Sequence, residues 1–461
     1  MLLRNSWFKG SVYFSILAFS VLGVGFILAQ SRTQGKGTCN NNDICESGEY
    51  NYSASHENQA CLDCRAKLYF PLVIDRSRPQ IVGANSTIGK VFQFKWTDTN
   101  ADGIPDAYRD TWAGLQIADA KILPEMGDID GDGIKEILAL AEYSTKVGTG
   151  KKAATYYDYK FFFYRQNNAT GHPDFESPAR FGYSGKKIYL GGFVAGDVDN
   201  DGIDEVILNK VWQVEIYKFN GYDFELKWIY EADYNAEIPL KWAYGVSVGN
   251  ADNDPLGKNE LVLATVDDGQ AYIYSYIGTD FQGKFVFGPP VKTESMGYCY
   301  IDLAKVRDVD NDGLNEIVGC GNNGCLMVWK YENGVYRKKF ISPVSLGTYT
   351  EEIDAGDLDG GSSFPDNEVV IWGTGANKIY VMKYDDPNPG DDIYGTFQIL
   401  TQLTLKSGIR ELCVGDVDGE GKAELVLGGA TDGLYIYDLI NGSLEQVYQS
   451  VYGSPWGPRI K

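Results

Sequence analysis

Histidine is nearly absent from this chain, with 2 among 461 residues. That scarcity argues against imidazole-based acid–base chemistry and against zinc held by histidines. Basic residues are outnumbered, 41 against 63 acidic, and the net charge of −22 excludes nucleic acid as the main partner, since phosphate binding calls for a basic face. No repeat sustains a 3.6-residue apolar period, so helices are not expected to build the fold. No Gly-x-Ser-x-Gly elbow is joined to a partner histidine, and there is no phosphate-cradling glycine loop. What the chain does have is 44% hydrophobic residues, enough for a large core, with 54 Gly, 32 Tyr and 9 Trp. This is the composition of turn-rich β structure.

The chain begins with Arg4 and Lys9 ahead of an apolar run from Val12 to Ala29. As a helix that run spans about 27 Å, close to a hydrocarbon core of about 30 Å. Small residues around Ala29 also suit cleavage, so residues 1–30 are read as a membrane anchor or a secretory signal. In either case the rest of the chain is expected on the extracellular face, anchored or secreted. After a short linker (31–38), Cys39, Cys45, Cys61 and Cys64 crowd residues 39–65 together with Asn40, Asn41, Asp43, Glu46 and Glu49. In an oxidising compartment these residues point to a small two-disulfide module, with calcium rather than zinc as any ion. The stretch resembles the short C-x-N-G-x-C-E-x-G-E…C-x-x-C segments of exported microbial proteins. Downstream, Cys320 and Cys325 flank a hairpin-like GNN, a spacing compatible with a bridge. Cys299 and Cys413 stand apart.

An acidic motif recurs six times: GDIDGDGIKEIL from Gly127, GDVDNDGIDEVIL from Gly196, GNADNDPLGKNELVL from Gly249, RDVDNDGLNEIVG from Arg307, GDLDGGSSFPDNEVVIWG from Gly356 and GDVDGEGKAELVLGG from Gly415. Copies start about 49–69 residues apart, a spacing typical of units that cannot bury their apolar faces alone. Each copy leads into a short apolar run such as Leu425–Leu427, a Gly or Asn turn, and an alternating strand such as Leu434–Tyr437. A seventh unit is expected upstream: PQIVGANSTIGKVFQFKW has the strand–turn–strand pattern, but the IDRSRPQ around its start lacks the acids. Four strands per unit predict an all-β, seven-bladed β-propeller over residues 66–461, behind an N-terminal hydrophobic helix and the Cys-rich module. The rungs of a β-solenoid are shorter.

The motif's residue types explain its spacing. Asp128, Asp130 and Asp132 offer oxygens at positions 1, 3 and 5, Ile134 a carbonyl at 7, and Glu136 a carboxylate at 9, while Gly133 permits the turn. The same positions hold Asp197, Asp199, Asp201, Ile203 and Glu205. They also hold Asp308, Asp310, Asp312, Leu314 and Glu316, and Asp416, Asp418, Glu420, Lys422 and Glu424. Two copies depart. Asn250, Asp252 and Asp254 reach Glu260 after two inserted residues, and Asp357 and Asp359 are closed by Asp366 or Glu368 after a longer stretch.

Carboxylates so close repel one another unless a hard cation neutralises them, and flexible all-oxygen sites suit calcium over magnesium. About six Ca2+ sites are expected, weaker or different at 250 and 357. The competing reading is a set of acidic turns without metal. An EF-hand is excluded, because its position 12 would be Ala139, Leu208 or Leu427 and strand-like runs follow. A further loop out of phase with the repeats, Asp98, Asn100, Asp102 and Asp106, has the same spacing and is read as a metal site or a solvated turn.

With these motifs the region from about 66 to 461 resembles the FG-GAP/VCBS class of calcium-binding β-propellers, the class that includes the N-terminal propeller of integrin α subunits. The Phe-Gly and Gly-Ala-Pro signatures of integrin repeats are not evident, so the VCBS-like branch is the better match. The resemblance implies that metals line one face of the disk and that ligands meet the other. Eight residues before each loop stand Ala120, Tyr189, Trp242, Tyr300, Tyr349 and Gly408, and two residues after four of these come Tyr244, Asp302, Glu351 and Arg410. Aromatic rings beside polar groups suit a protein or glycan ligand; the alternative is that the rings pack between blades. The expected role is a cell-surface adhesion or ligand-binding module without catalysis. Rival roles are a carbohydrate-binding or polysaccharide-lyase propeller and a scaffold subunit of a surface assembly. Four sequons, at Asn51, Asn85, Asn168 and Asn441, fit export.

Overall fold

The computed structural model describes residues 80–460, apart from 86–89, 98–106, 148–153, 166–169, 183–191, 232–242, 361–366, 388–393, 430–433, 450–458 and gaps of one to three residues elsewhere. The hydrophobic N-terminal segment, the Cys-rich module with its expected disulfides, and the loop of Asp98, Asn100, Asp102 and Asp106 lie outside the described residues.

Strands follow one another in consecutive antiparallel sets. The first set comprises β1 (Ile81–Asn85), β2 (Lys90–Thr97) and β3 (Ala107–Ala113). The second has β4 (Ala120–Gly127), β5 (Glu136–Val147), β6 (Ala154–Tyr164), β7 (Phe175–Glu176) and β8 (Phe181–Gly182). The third runs through β9 (Gly192–Gly196), β10 (Glu205–Asn209), β11 (Gln213–Phe219) and β12 (Phe224–Glu231). In the fourth are β13 (Ala243–Gly249), β14 (Glu260–Thr265), β15 (Ala271–Thr279), β16 (Phe285–Phe287) and β17 (Val291–Lys292). The fifth has β18 (Leu303–Arg307), β19 (Glu316–Gly321), β20 (Cys325–Glu332) and β21 (Val335–Ile341). The sixth has β22 (Thr350–Gly356), β23 (Glu368–Gly373), β24 (Lys378–Asp385) and β25 (Thr396–Thr404). The seventh has β26 (Ile409–Gly415), β27 (Glu424–Gly429), β28 (Leu434–Ile440) and β29 (Ser443–Gln449).

The last strand, β30 (Arg459–Ile460), pairs not with its sequence neighbours but with β1. This makes seven sheets, and the first strands pack side by side around a ring in which β30 touches both β26 and β4. The protein is a seven-bladed β-propeller whose first blade borrows its innermost strand from the other end of the chain. That closure also explains the missing acids of the first unit. No loop joins β30 to β1, so that blade has no place for the motif.

Seven apolar clusters occupy the seven junctions between blades. Second strands such as β10, β14, β19 and β23 are buried on both faces, which is why they read as unbroken apolar runs. Trp329 on β20 is fully buried between the fourth and fifth blades. Inner strands crowd where they end. A Cβ on Gly196 would lie 2.8 Å from Val248, and one on Gly249 2.9 Å from Val306, so glycine precedes the loop there.

The Cys320–Cys325 bridge is not formed, and both side chains are buried. Register pairs Cys320 with Leu326 and Cys325 with Gly321. An offset of one residue sends the two side chains to opposite faces, Cys320 toward the sixth blade and Cys325 toward the fourth.

Candidate metal centres

All six motifs lie between the first and second strands of their blades, at one end of the inner strands. Two left-handed residues shape the loop. Position 4 is Gly131, Asn200, Asn253, Asn311, Gly360 or Gly419, each with φ between 57° and 80°. Position 6 is Gly133, Gly202, Gly313 or Gly421, with φ of 83–90°. Hence the recurring Asp-Gly or Asn before a glycine turn. The first carboxylate is then clamped by backbone: Gly131 N and Gly133 N donate to Asp128 at 2.9 Å, and Asn311 N and Gly313 N to Asp308 at 2.8 and 3.0 Å.

The closing glutamate is the invariant anchor. Its Oε2 accepts the N–H of position 2 in every motif: Ile129 to Glu136 (3.1 Å), Val198 to Glu205 (3.0 Å), Ala251 to Glu260 (2.9 Å), Val309 to Glu316 (3.0 Å), Leu358 to Glu368 (2.9 Å) and Val417 to Glu424 (2.7 Å). Glu368 therefore closes the stretched loop, and Asp366 lies outside the described residues. The insertions at 250 and 357 leave this contact of the glutamate in place.

Five trios bring one carboxylate oxygen each to within 4.8 Å of one another: Asp128–Asp130–Glu136, Asp197–Asp199–Glu205, Asp308–Asp310–Glu316, Asp357–Asp359–Glu368 and Asp416–Asp418–Glu424. The sixth loop has the same backbone pattern with Asn250 as its first donor; Asp254 N donates to Asn250 and to Asp252, both at 2.9 Å. Position 5 stands at the edge. Asp132, Asp201 and Asp312 accept the N–H groups of Ile134, Ile203 and Leu314, which were expected to offer carbonyls. Glu420 N donates to Asp418, and the Lys422 ammonium donates to the Leu439 carbonyl.

The donor sets suit a hard divalent cation. They are all oxygen, and Asp130 Oδ1, Asp310 Oδ1 and Asp438 Oδ1 are buried without a hydrogen-bond partner. Burial pushes Glu136 up to about 8, with the Asp130 charge adding and the Ile129 N–H opposing. Glu424 rises to about 8 and Glu260 to about 7, again chiefly through burial, with Asp418 and Asp252 adding to it. In three other blades a lysine faces the loop: Lys218, Lys330 and Lys383. Burial alone would lower Lys218 and Lys330, but hydrogen bonds to Asp199, Asp201 and Glu205, and to Asp310 and Asp312, hold both above their ordinary value.

Successive loops are also stitched together, which spacing within one repeat does not reveal. Asn259 N donates to Asn200 (2.6 Å) and its amide to the Asp197 carbonyl (3.0 Å); Asn315 does the same to Asn253 and Asn250, and Asn367 to Asn311 and Asp308. The signal lay in the asparagine just before Glu260, Glu316 and Glu368.

At the other ends of the inner strands, Tyr300 and Tyr349 are exposed (38% and 45%) rather than packed between blades. Ala304, Val306 and Ile353, on the same strands, are buried. Asp302 beside Tyr300 is pushed up to about 6 by burial and by the charge of Glu351. Tyr189 and Trp242 lie outside the described residues. Gly245 to Gly249 spells Gly-x-Ser-x-Gly, but it runs within β13 and forms no turn for a nucleophile.

No family model matches the chain, and no curated protein matches it. Among solved structures it is similar to a Bacteroides fragilis protein assigned as a 6-phosphogluconolactonase, at 10% identity, TM-score 0.54, covering 85% of this chain and 100% of that one. A Bacteroides uniformis protein with the same assignment is similar at 11% identity and TM-score 0.50, covering 84% and 100%. At such identities the likeness shows the fold alone.

Proposed function

We propose that this chain is an extracellular calcium-binding β-propeller, tethered or secreted through its hydrophobic N-terminus, that engages a protein or glycan ligand through the face opposite its acidic loops. The observation that carries the reading is the repeated trio of oxygens around a buried glutamate, a charge density that calls for cations of the kind extracellular modules take up. The exposed pair Tyr300 and Tyr349 supplies the ligand face, with Asp302 and Glu351 as hydrogen-bonding groups. Asn441, in a sequon, sits in an exposed turn with φ of 50°, accessible to glycosylation as fits an exported chain.

The test is retention on a glycan array and in pull-downs from membrane extracts, in calcium and in chelator. Tyr300→Ala combined with Tyr349→Ala is expected to reduce retention by about tenfold or more while leaving the melting temperature unchanged. Undiminished retention would place the ligand elsewhere. Release of unsaturated oligosaccharides from a polysaccharide would favour the lyase reading instead.

A further inference from the structure

The six loops carry similar carboxylates but not the same counter-charge. Antiparallel register sets one third-strand residue opposite each closing glutamate. Glu260 faces Ser275 and Glu316 faces Lys330. Continuing the other ladders by one pair sets Glu136 opposite Arg165, Glu205 opposite Lys218, Glu368 opposite Lys383 and Glu424 opposite Asp438.

The lysines enter the loops. Lys218 Nζ lies 2.8 Å from Asp199, 2.8 Å from Asp201 and 2.6 Å from Glu205. Lys330 Nζ lies 2.7 Å from Asp310, 2.6 Å from Asp312 and 3.0 Å from Glu316. Lys383 Nζ lies 2.8 Å from Asp359 and 3.4 Å from Glu368. An ammonium has three donors and one positive charge, so at these distances it sits among the oxygens a cation would take. Arg165 behaves differently. Half-exposed, it binds Asp130 Oδ2 from outside at 2.6 and 2.9 Å, while Asp130 Oδ1, like Asp310 Oδ1 beside Lys330, is buried and unpartnered.

The seventh blade inverts the pattern. Asp438 adds a fourth carboxylate to Asp416, Asp418 and Glu424, and its buried Oδ1 has no hydrogen-bond partner. Tyr108 of the first blade closes the site from the side. It is 4% exposed, its hydroxyl has no partner, and the charges of Glu424, Asp418, Asp438 and Asp416 all act on it. A buried phenol and a buried carboxylate oxygen without partners also stand in the Lys330 loop, as Tyr394 and Asp310, so the seventh blade is set apart by its fourth carboxylate in the place of a lysine, which leaves its negative charge without a tethered ammonium.

We propose that the residue opposite the closing glutamate decides what neutralises each loop: a tethered ammonium at Lys218, Lys330 and Lys383, and a divalent cation in the seventh blade, where Asp438 stands. The inference rests on the calcium reading above and narrows it. Calcium belongs to the loops that no lysine enters from the third strand, at 128, 250 and 416, with the last the strongest because it has the most carboxylates; the cation nearest Asp438, Lys422, acts on it through its charge while giving its ammonium to the Leu439 carbonyl.

Calcium titration calorimetry on the full-length protein, with melts in calcium and in chelator, tests it. The six acidic loops of the wild type are expected to bind no more than three calcium ions. Asp438→Lys should lose one of them and melt higher than the wild type in chelator, by about 2 °C or more. Lys330→Met should gain one site and depend more on calcium for its melting temperature. Asp438→Asn, nearly isosteric, should fold and bind the tightest ion at least tenfold more weakly. Binding of about six ions by the wild type, with Asp438→Lys and Lys330→Met unchanged, would overturn the proposal while leaving calcium binding intact. Absence of calcium binding in every variant would instead overturn the calcium reading itself, and this inference with it.

Discussion

In calcium-free buffer the protein is expected to melt at progressively lower temperature as pH rises from about 5 to about 8. The groups responsible are Glu136 and Glu424, pushed up to about 8, and Glu260, pushed up to about 7, from an ordinary value of 4.5, all chiefly by burial. Between 4.5 and these values the folded state binds more protons than the unfolded state. Their contribution to stability is therefore complete below the unfolded value and is lost as pH climbs through the folded one. Groups shifted the other way, such as Asp354, held low against its burial by Lys305 and Arg307, act only below this window. A fall of about 3 °C or more across the range is expected, since one pKa unit is worth about 1.4 kcal/mol. Saturating calcium should flatten or reverse the slope, because an ion held by the loops would bind their deprotonated form and gain affinity as pH rises. Melts by circular dichroism at matched ionic strength would check both arms; a rising curve in the metal-free arm would refute the assignment.

The second large effect lies away from the loops. Trp329→Ala should destabilise the protein by about 3–5 kcal/mol, equally in calcium and in chelator. Its ring is fully buried among Ala251, Val262, Ile301 and Ile317 at the junction of the fourth and fifth blades, and its Nε1 donates to the Glu294 carbonyl at 2.7 Å. Truncation leaves a cavity and an unmet carbonyl that no ion can repair. Denaturant unfolding in both buffers is the measurement. An effect that vanished in calcium would mean that the ions, rather than the apolar junctions, hold neighbouring blades together.

Much of this architecture was legible before any coordinates. The period-2 strands, the apolar second strands and the six loops follow from local pattern, and so does the upstream seventh unit at residues 79–96. What was not legible depends on contacts distant in sequence. Nothing local in Arg459–Ile460 says that these residues complete the first blade, because the pairing spans almost the whole chain. Lys218, Lys330 and Asp438 follow their glutamates by 13 or 14 residues, and only the hairpin register brings them opposite. The asparagine stitching between loops crosses from blade to blade. Cys320 and Cys325 looked bridgeable from spacing, but the alternation of side chains along a hairpin separates them. In each case the local element was readable and the register or ring neighbour that completed it was not.

Cations held by the acidic loops are expected to stabilise the fold. The measurement is the melting temperature of the full-length protein at neutral pH in excess chelator and again after calcium is restored. A lower melting temperature in chelator that recovers with calcium is the expected result. The same melting temperature in both conditions would contradict the claim that the acidic loops hold structural metal ions.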